Sequence, residues 1–198
     1  MSAATATIVE PGIRLGPSAR GRVGMYCLIA AESAIFSIFV VAYLFYMGKS
    51  LSGPTPQQVL RVPVLFTICL LSSSVTIYLA HRLLRKGNVA GFGWWWSVTL
   101  FLGATFLVGT GFEWRHLIYD EGLTIQTNLF GTTYYSLVGL HAFHVLMGLL
   151  ALSTVLLLTL LGKVKREHAE RVDTLALYWH FVDTVWVVVF LVVYVIGR

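Results

Sequence analysis

The sequence predicts an all-α, polytopic membrane helix bundle with five transmembrane helices, its N-terminus inside and its C-terminus outside. Composition is the first observation behind this: 57% of residues are hydrophobic and only 12% charged, with a mean hydropathy of +0.78. A chain so apolar would not stay soluble as a globule. The second is length, because five apolar runs each approach or exceed the ~20 residues that a helix needs to cross a ~30 Å hydrocarbon core. The third is the placement of the basic residues, which orients the helices.

The runs lie at about 24–47, 62–80, 92–118, 133–161 and 175–196, in a membrane domain covering 23–198. Residues 1–22 form a tail rich in small residues and are expected to be mobile. Arg14, Arg20 and Arg22 precede an apolar stretch far longer than a secretory h-region, so the first helix is expected to be retained. Pro54 and Pro56 fall in the first loop, and Pro63 opens the second span, where a missing N–H costs nothing. Gly87, Gly91 and Gly93 mark the second loop, while Gly122 and Gly131 bracket the third. Cys27 and Cys69 each lie within a span without a CxxC pattern, and read as small buried residues.

A formal charge of +5 would suit a nucleic-acid partner if it were clustered, but it alternates along the chain. Arg14, Arg20, Arg22, Arg82, Arg85, Lys86, Lys163, Lys165, Arg166 and Arg171 all fall on one side of a five-span topology. Only Lys49, Arg61, Arg115 and Arg198 fall on the other. The positive-inside rule therefore places the N-terminus inside and the C-terminus outside, and makes the basicity a topology signal. Trp94, Trp95 and Trp96 follow the Arg82–Arg85–Lys86 loop and are expected at the inner interface, as a generic aromatic belt or as part of an anionic headgroup site.

Several polar groups interrupt the apolar runs. Glu32 sits on the order of 13 Å into the first helix, at ~1.5 Å per residue. A carboxyl at that depth needs a hydrogen-bond partner or a proton, and reads as a proton relay, a conformational anchor, or a simple interhelical bond. The third span ends in Phe112-Glu-Trp-Arg-His116, where interfacial pairing would account for Glu113. The fourth holds His141 and His144, three apart and on one face, able to bind a metal or to hydrogen-bond across the bundle. The fifth carries His180 and Asp183 at the same spacing, able to pair with each other. A heme between the histidines is disfavoured by depth: His141 and His180 differ by about 10 Å when each is placed at ~1.5 Å per residue from its own end. The spacing of His141 and His144 thus leaves a metal open, but no pattern in the chain supports a redox centre.

The nonapeptide Tyr178-Trp-His-Phe-Val-Asp-Thr-Val-Trp186 resembles the last helix of subunit III of the heme–copper terminal oxidases. Ala31-Glu-Ser-Ala-Ile-Phe-Ser-Ile-Phe39 is similar to the helix bearing that family's buried, carbodiimide-reactive glutamate, which would be Glu32. Ser74 to His81, Phe112-Glu-Trp114 and Val138 to Gly148 follow in the family's order, although Ala142 stands where the family usually has glycine. Five spans resemble the short bacterial form, which lacks the first two of seven helices.

The resemblance implies an accessory, non-redox subunit of a cytochrome c oxidase. It would pack mainly on subunit I, with subunit II nearby, hold phospholipid in a cleft and sustain proton uptake during oxygen reduction. Hemes and copper would lie in those partners. Glu32, Glu113, His141, His144, His180 and Asp183 would be structural or proton-environment residues, with none catalytic or metal-binding. His81, Arg82, Arg85, Trp94, Trp95 and Trp96 would meet lipid headgroups, in the inner membrane of a bacterium. A related subunit of a nitric oxide reductase or quinol oxidase, and an independent proton channel or transporter, are the alternatives.

Overall fold

A computed structural model describes residues 17–50 and 53–197. Five long helices account for most of them: α1 (Pro17–Tyr46), α3 (Val64–Arg85), α4 (Val89–Tyr119), α5 (Leu129–Leu160) and α6 (Ala169–Phe190). A single helical turn, α2 (Pro56–Val59), lies in the first loop, and a 3₁₀ turn (Arg166–His168) precedes α6. Each long helix has the length and hydropathy of a membrane span. Helices suit that setting because they satisfy their own backbone hydrogen bonds where no water can.

Helix ends fall where backbone chemistry puts them, often beyond the apolar runs. α1 begins at Pro17, inside the stretch assigned to the tail, and residues 1–16 lie outside the described residues. α3 continues past the expected end at residue 80 through Arg82 and Arg85. Gly87 ends it at φ +81°, a conformation that disfavours a side chain. The Gly87 N–H then reaches the Leu84 carbonyl at 2.9 Å, and the Asn88 N–H reaches that of Leu83 at 3.0 Å. Asn88 at once caps α4, its side-chain oxygen accepting from the Gly91 N–H at 2.8 Å. Asn128 does the same for α5 through Gly131, also at 2.8 Å. The last turns of α6 widen into a π-helical segment, Leu191–Ile196.

α3 and α4 pack closely as a hairpin, α4 packs on α5, and α6 closes the group against both α3 and α5. α1 rests on α5 and α6, and only Phe36 and Tyr43 of its described side chains are buried. Apolar surface cannot drive association inside lipid, so packing and interhelical hydrogen bonds must do so. Three buried indoles supply such bonds. Trp96 Nε1 donates to the Leu152 carbonyl at 2.9 Å (α4 to α5), Trp179 Nε1 to Ser73 Oγ at 2.8 Å, and Trp186 Nε1 to Thr67 Oγ1 at 3.2 Å (both α6 to α3). Thr76 and Thr99 join α3 to α4 through hydroxyls 2.8 Å apart. The Trp179 ring lies in a slot between two glycines: a Cβ on Gly103 or on Gly148 would stand 2.8 Å from its carbon atoms.

Candidate functional site

Four polar clusters sit along the helix contacts. Near mid-span, α1 presents Glu32 to α5. Glu32 Oε2 lies 3.1 Å from His144 Nε2. The other ring nitrogen of His144 is 2.8 Å from the Leu140 carbonyl, one turn earlier in the same helix. A carbonyl only accepts, so Nδ1 carries a proton. Nε2 then accepts from a protonated Glu32, or donates to its carboxylate as an imidazolium. Either way the pair is net neutral, which suits a low-dielectric setting. Phe36 packs its ring 5.0 Å from the imidazole, and the Tyr178 hydroxyl donates to the His144 carbonyl at 3.3 Å.

His141, one turn away, faces a different neighbourhood. It is fully buried, with its ring 4.9 Å from Trp186 and 5.7 Å from Phe106. The two histidines thus share a helix face without sharing a ligand. Among the described residues no group of three or more His, Cys, Asp or Glu is placed to hold a metal ion.

On α6, His180 and Asp183 do not pair directly as their spacing suggested. Ser74 of α3 stands between them, with its Oγ 3.0 Å from His180 Nδ1 and in a very short hydrogen bond to Asp183 Oδ2. The intermediary comes from another helix because Asp183 points into the bundle (3% exposed), toward α3.

Toward the C-terminal end, Glu113 also departs from expectation. It does not pair with Arg115 or His116 at a surface; it turns inward to two phenols. Tyr194 donates to Glu113 Oε1 at 2.8 Å and Tyr134 at 3.3 Å. The π-helical segment carries Tyr194 to this position, and extra turns of this kind often mark special sites. His116 instead lies 2.6 Å from Asp120 and 3.5 Å from Glu121, in the loop beyond α4.

The basic end of the bundle divides the expected headgroup set. His81 is buried, and its Nε2 accepts from Arg85 Nε at 3.2 Å. Asp173 of α6 lies 3.4 Å from the same nitrogen, 3.8 Å from Arg85 Nη2, and in a very short contact with Arg22 of α1. Arg82 faces another way, into a shallow groove with Leu83, Lys86 and the half-buried Trp95. Trp94 is exposed. Trp96 does not face outward with Trp94: its side chain is wholly enclosed and bonded to Leu152, because successive residues step about 100° around a helix and so point in different directions. Arg22, Asp173, Ser74, Tyr134 and Tyr194 are the members of these clusters that local spacing did not single out.

This geometry defines a class: a five-span membrane protein in which Glu32, Glu113 and Asp183 each meet a hydrogen-bonding partner from another helix, while the buried His141 ring is held by aromatic neighbours. Comparison with known proteins narrows it. The family model described as "Cytochrome c oxidase subunit III" matches residues 19–198. The chain is 38% identical over 177 residues to cytochrome c oxidase subunit 3 of Synechocystis sp., covering 87% of this chain and 74% of that one. It is 33% identical over 176 residues to the subunit of the same name in Alkalihalophilus pseudofirmus, covering 88% and 85%. With that of Corynebacterium diphtheriae it shares 41% over 139 residues, covering 69% and 67%. The chain belongs to the cytochrome c oxidase subunit III family, and is a non-catalytic subunit of a heme–copper oxidase.

Proposed function

We propose that this chain packs on the catalytic subunit I of a cytochrome c oxidase, with subunit II nearby, and sustains proton uptake while oxygen is reduced. In this reading it carries no redox centre, and electrons pass through hemes and copper held by the partners. The observation that carries it is the Glu32–His144 pair. It sits on the least buried helix of a chain in this family, and it can exchange a proton internally without changing net charge. Such a pair holds α1 in place without a buried net charge, and conditions the proton environment beside a partner.

The chain lies in a bacterial cytoplasmic membrane with its basic end inside, which the distribution of Lys and Arg supports. His81, Arg82, Arg85, Trp94 and Trp95 then stand at the inner rim, where lipid headgroups lie. Glu113, His141, His180 and Asp183 act as interhelical structure, and none is a catalytic ligand. The names borne by the relatives favour this reading over a nitric oxide reductase or quinol oxidase subunit, and over a transporter.

The test is to tag the chain, extract it in mild detergent and record the reduced-minus-oxidised visible spectrum of what co-purifies. Heme bands with oxygen consumption, absent from the chain once stripped of its partners, are expected. A colourless preparation, or heme that remains with the stripped chain, would contradict the proposal.

A further inference from the structure

α1 is tied to the bundle at two heights, by Arg22 with Asp173 at the basic end and by Glu32 with His144 near mid-span. Its C-terminal end holds a site of a different kind. Tyr43 is 2% exposed, and its hydroxyl has no hydrogen-bond partner among the described residues. A buried hydroxyl in that state is costly, so the phenol calls for a partner from outside the chain. The chain makes room for it: a Cβ on Gly197 would stand 2.7 Å from the Tyr43 oxygen. Tyr43 and Gly197 both line a cavity of about 170 Å³, closed on the loop side by Ser50, Thr55 and Gln57.

Charge decides the class of occupant. None of the described residues that line the cavity carries a formal charge. Two helix C-termini end against it, α1 at Tyr46 and the π-helical segment that prolongs α6 at Ile196. Each such end carries about half an elementary negative charge. α5 brings its N-terminus to the same cavity, which would favour an anion, but its donors are spent. The Phe130 N–H donates to Ser50 Oγ at 3.1 Å, that of Gly131 to Asn128 Oδ1 at 2.8 Å, and that of Thr132 to the Asn128 carbonyl at 3.0 Å. Hydroxyl and amide oxygens beside two negative helix ends are what remain. Lys49 does not line the cavity, since its ammonium sits over the Phe45 ring, 3.5 Å from the centroid. A divalent or transition metal would need the carboxylate, imidazole or thiolate that these lining residues lack. An apolar guest would leave the phenol unsatisfied.

We propose that this cavity binds one monovalent alkali cation, with the Tyr43 hydroxyl and Gln57 amide oxygens among its ligands. Neutral oxygens and helix C-terminal ends are the donor set that such ions take inside membrane proteins. Held there, the cation links the end of α1 to α5 and to the last turns of the chain. It gives the least buried helix a third attachment, beyond the two made by side chains alone. The assignment goes beyond the oxidase-subunit reading and stands without it.

The test uses the tagged full-length chain, with whatever it co-purifies, in native form and as Tyr43→Phe, Gln57→Leu and Tyr119→Phe. Tyr43→Phe removes the hydroxyl alone. Gln57→Leu removes an amide oxygen from an exposed position, so it reports even where the first variant fails to fold. Tyr119→Phe is the control, 79% exposed and outside the cavity. Samples in choline chloride are titrated with sodium or potassium chloride at constant ionic strength. Thermal midpoints and the sodium NMR linewidth are followed. A saturable rise of the midpoint is expected in the native chain and in the control. Half-saturation should lie about tenfold higher in Tyr43→Phe and Gln57→Leu, the change that loss of one hydrogen-bonding contact gives. Excess broadening of the sodium resonance should fall in the same two variants. Alkali chlorides that stabilise no better than choline chloride would overturn the proposal. Cation responses in both variants equal to that of the native chain would overturn it as well.

Discussion

Glu32 of α1 and His144 of α5 are 3.1 Å apart, and the Leu140 carbonyl determines which proton they can share. Because the carbonyl holds the Nδ1 proton, only the one between Oε2 and Nε2 is free to move. Glu32→Gln keeps a neutral hydrogen-bonding group, and its amide donates to Nε2. The variant is expected to assemble with the other oxidase subunits and to lose activity only during sustained turnover. Oxygen consumption recorded over many turnovers decides this, and unchanged activity throughout would remove the proton-environment role.

Truncating the other partner is a harsher change. His144→Ala leaves the Glu32 carboxyl without its ring partner and opens space beside Phe36. A loss of about 1–3 kcal/mol is expected from the unsatisfied group. Thermal unfolding of the purified complex measures it, and a midpoint equal to that of the native chain would mean that another group takes over the carboxyl.

Asp183 behaves as a residue of the bundle interior. Asp183→Asn can still accept from Ser74 and is expected to co-purify with the catalytic subunit at the native ratio. Asp183→Ala leaves Ser74 with His180 alone and should reduce recovery of the complex. Equal recovery of both variants would count against a packing role.

The Trp179 slot predicts a steric effect. Gly148→Ala puts a methyl group 2.8 Å from Cζ3 of the indole, whose Cζ2 and Cη2 atoms already abut Gly103. Overpacking of this kind costs about 1–3 kcal/mol. Denaturant titration in detergent checks the value, with Gly111→Ala, which meets nothing within 4 Å, as the neutral comparison.

Tyr134 and Tyr194 both donate to one carboxyl oxygen of Glu113, so their effects should not add. Tyr194→Phe removes the shorter bond and is expected to cost about 1–2 kcal/mol. The double variant with Tyr134→Phe strips the carboxyl of both phenols and should cost more than the two single changes together. Strict additivity in a double-mutant cycle would show that the phenols act independently.

The number and nature of the helices were legible because lipid imposes a simple rule: each crossing needs a long apolar run, and charge marks its ends. The resemblance carried by Tyr178 to Trp186 and by the Glu32 segment was equally legible, and the family match covers those residues. Partnership was less so. Helical spacing put His180 beside Asp183, but spacing along one helix cannot reveal a serine arriving from another. It also grouped Trp94, Trp95 and Trp96 as interface residues, although the 100° step between neighbours on a helix sends one of them into the core.

The sequence by itself thus determined five spans, the membrane as solvent, and the family, since all three follow from composition and from the order of residues along the chain. The tertiary structure alone decided that Glu32 meets His144, that Glu113 turns to Tyr134 and Tyr194, and that Arg22 joins Asp173 across the bundle. Those pairings depend on which faces of distant helices meet, and that is settled by close packing around indole rings and glycines, a property of the assembled bundle that no local stretch contains.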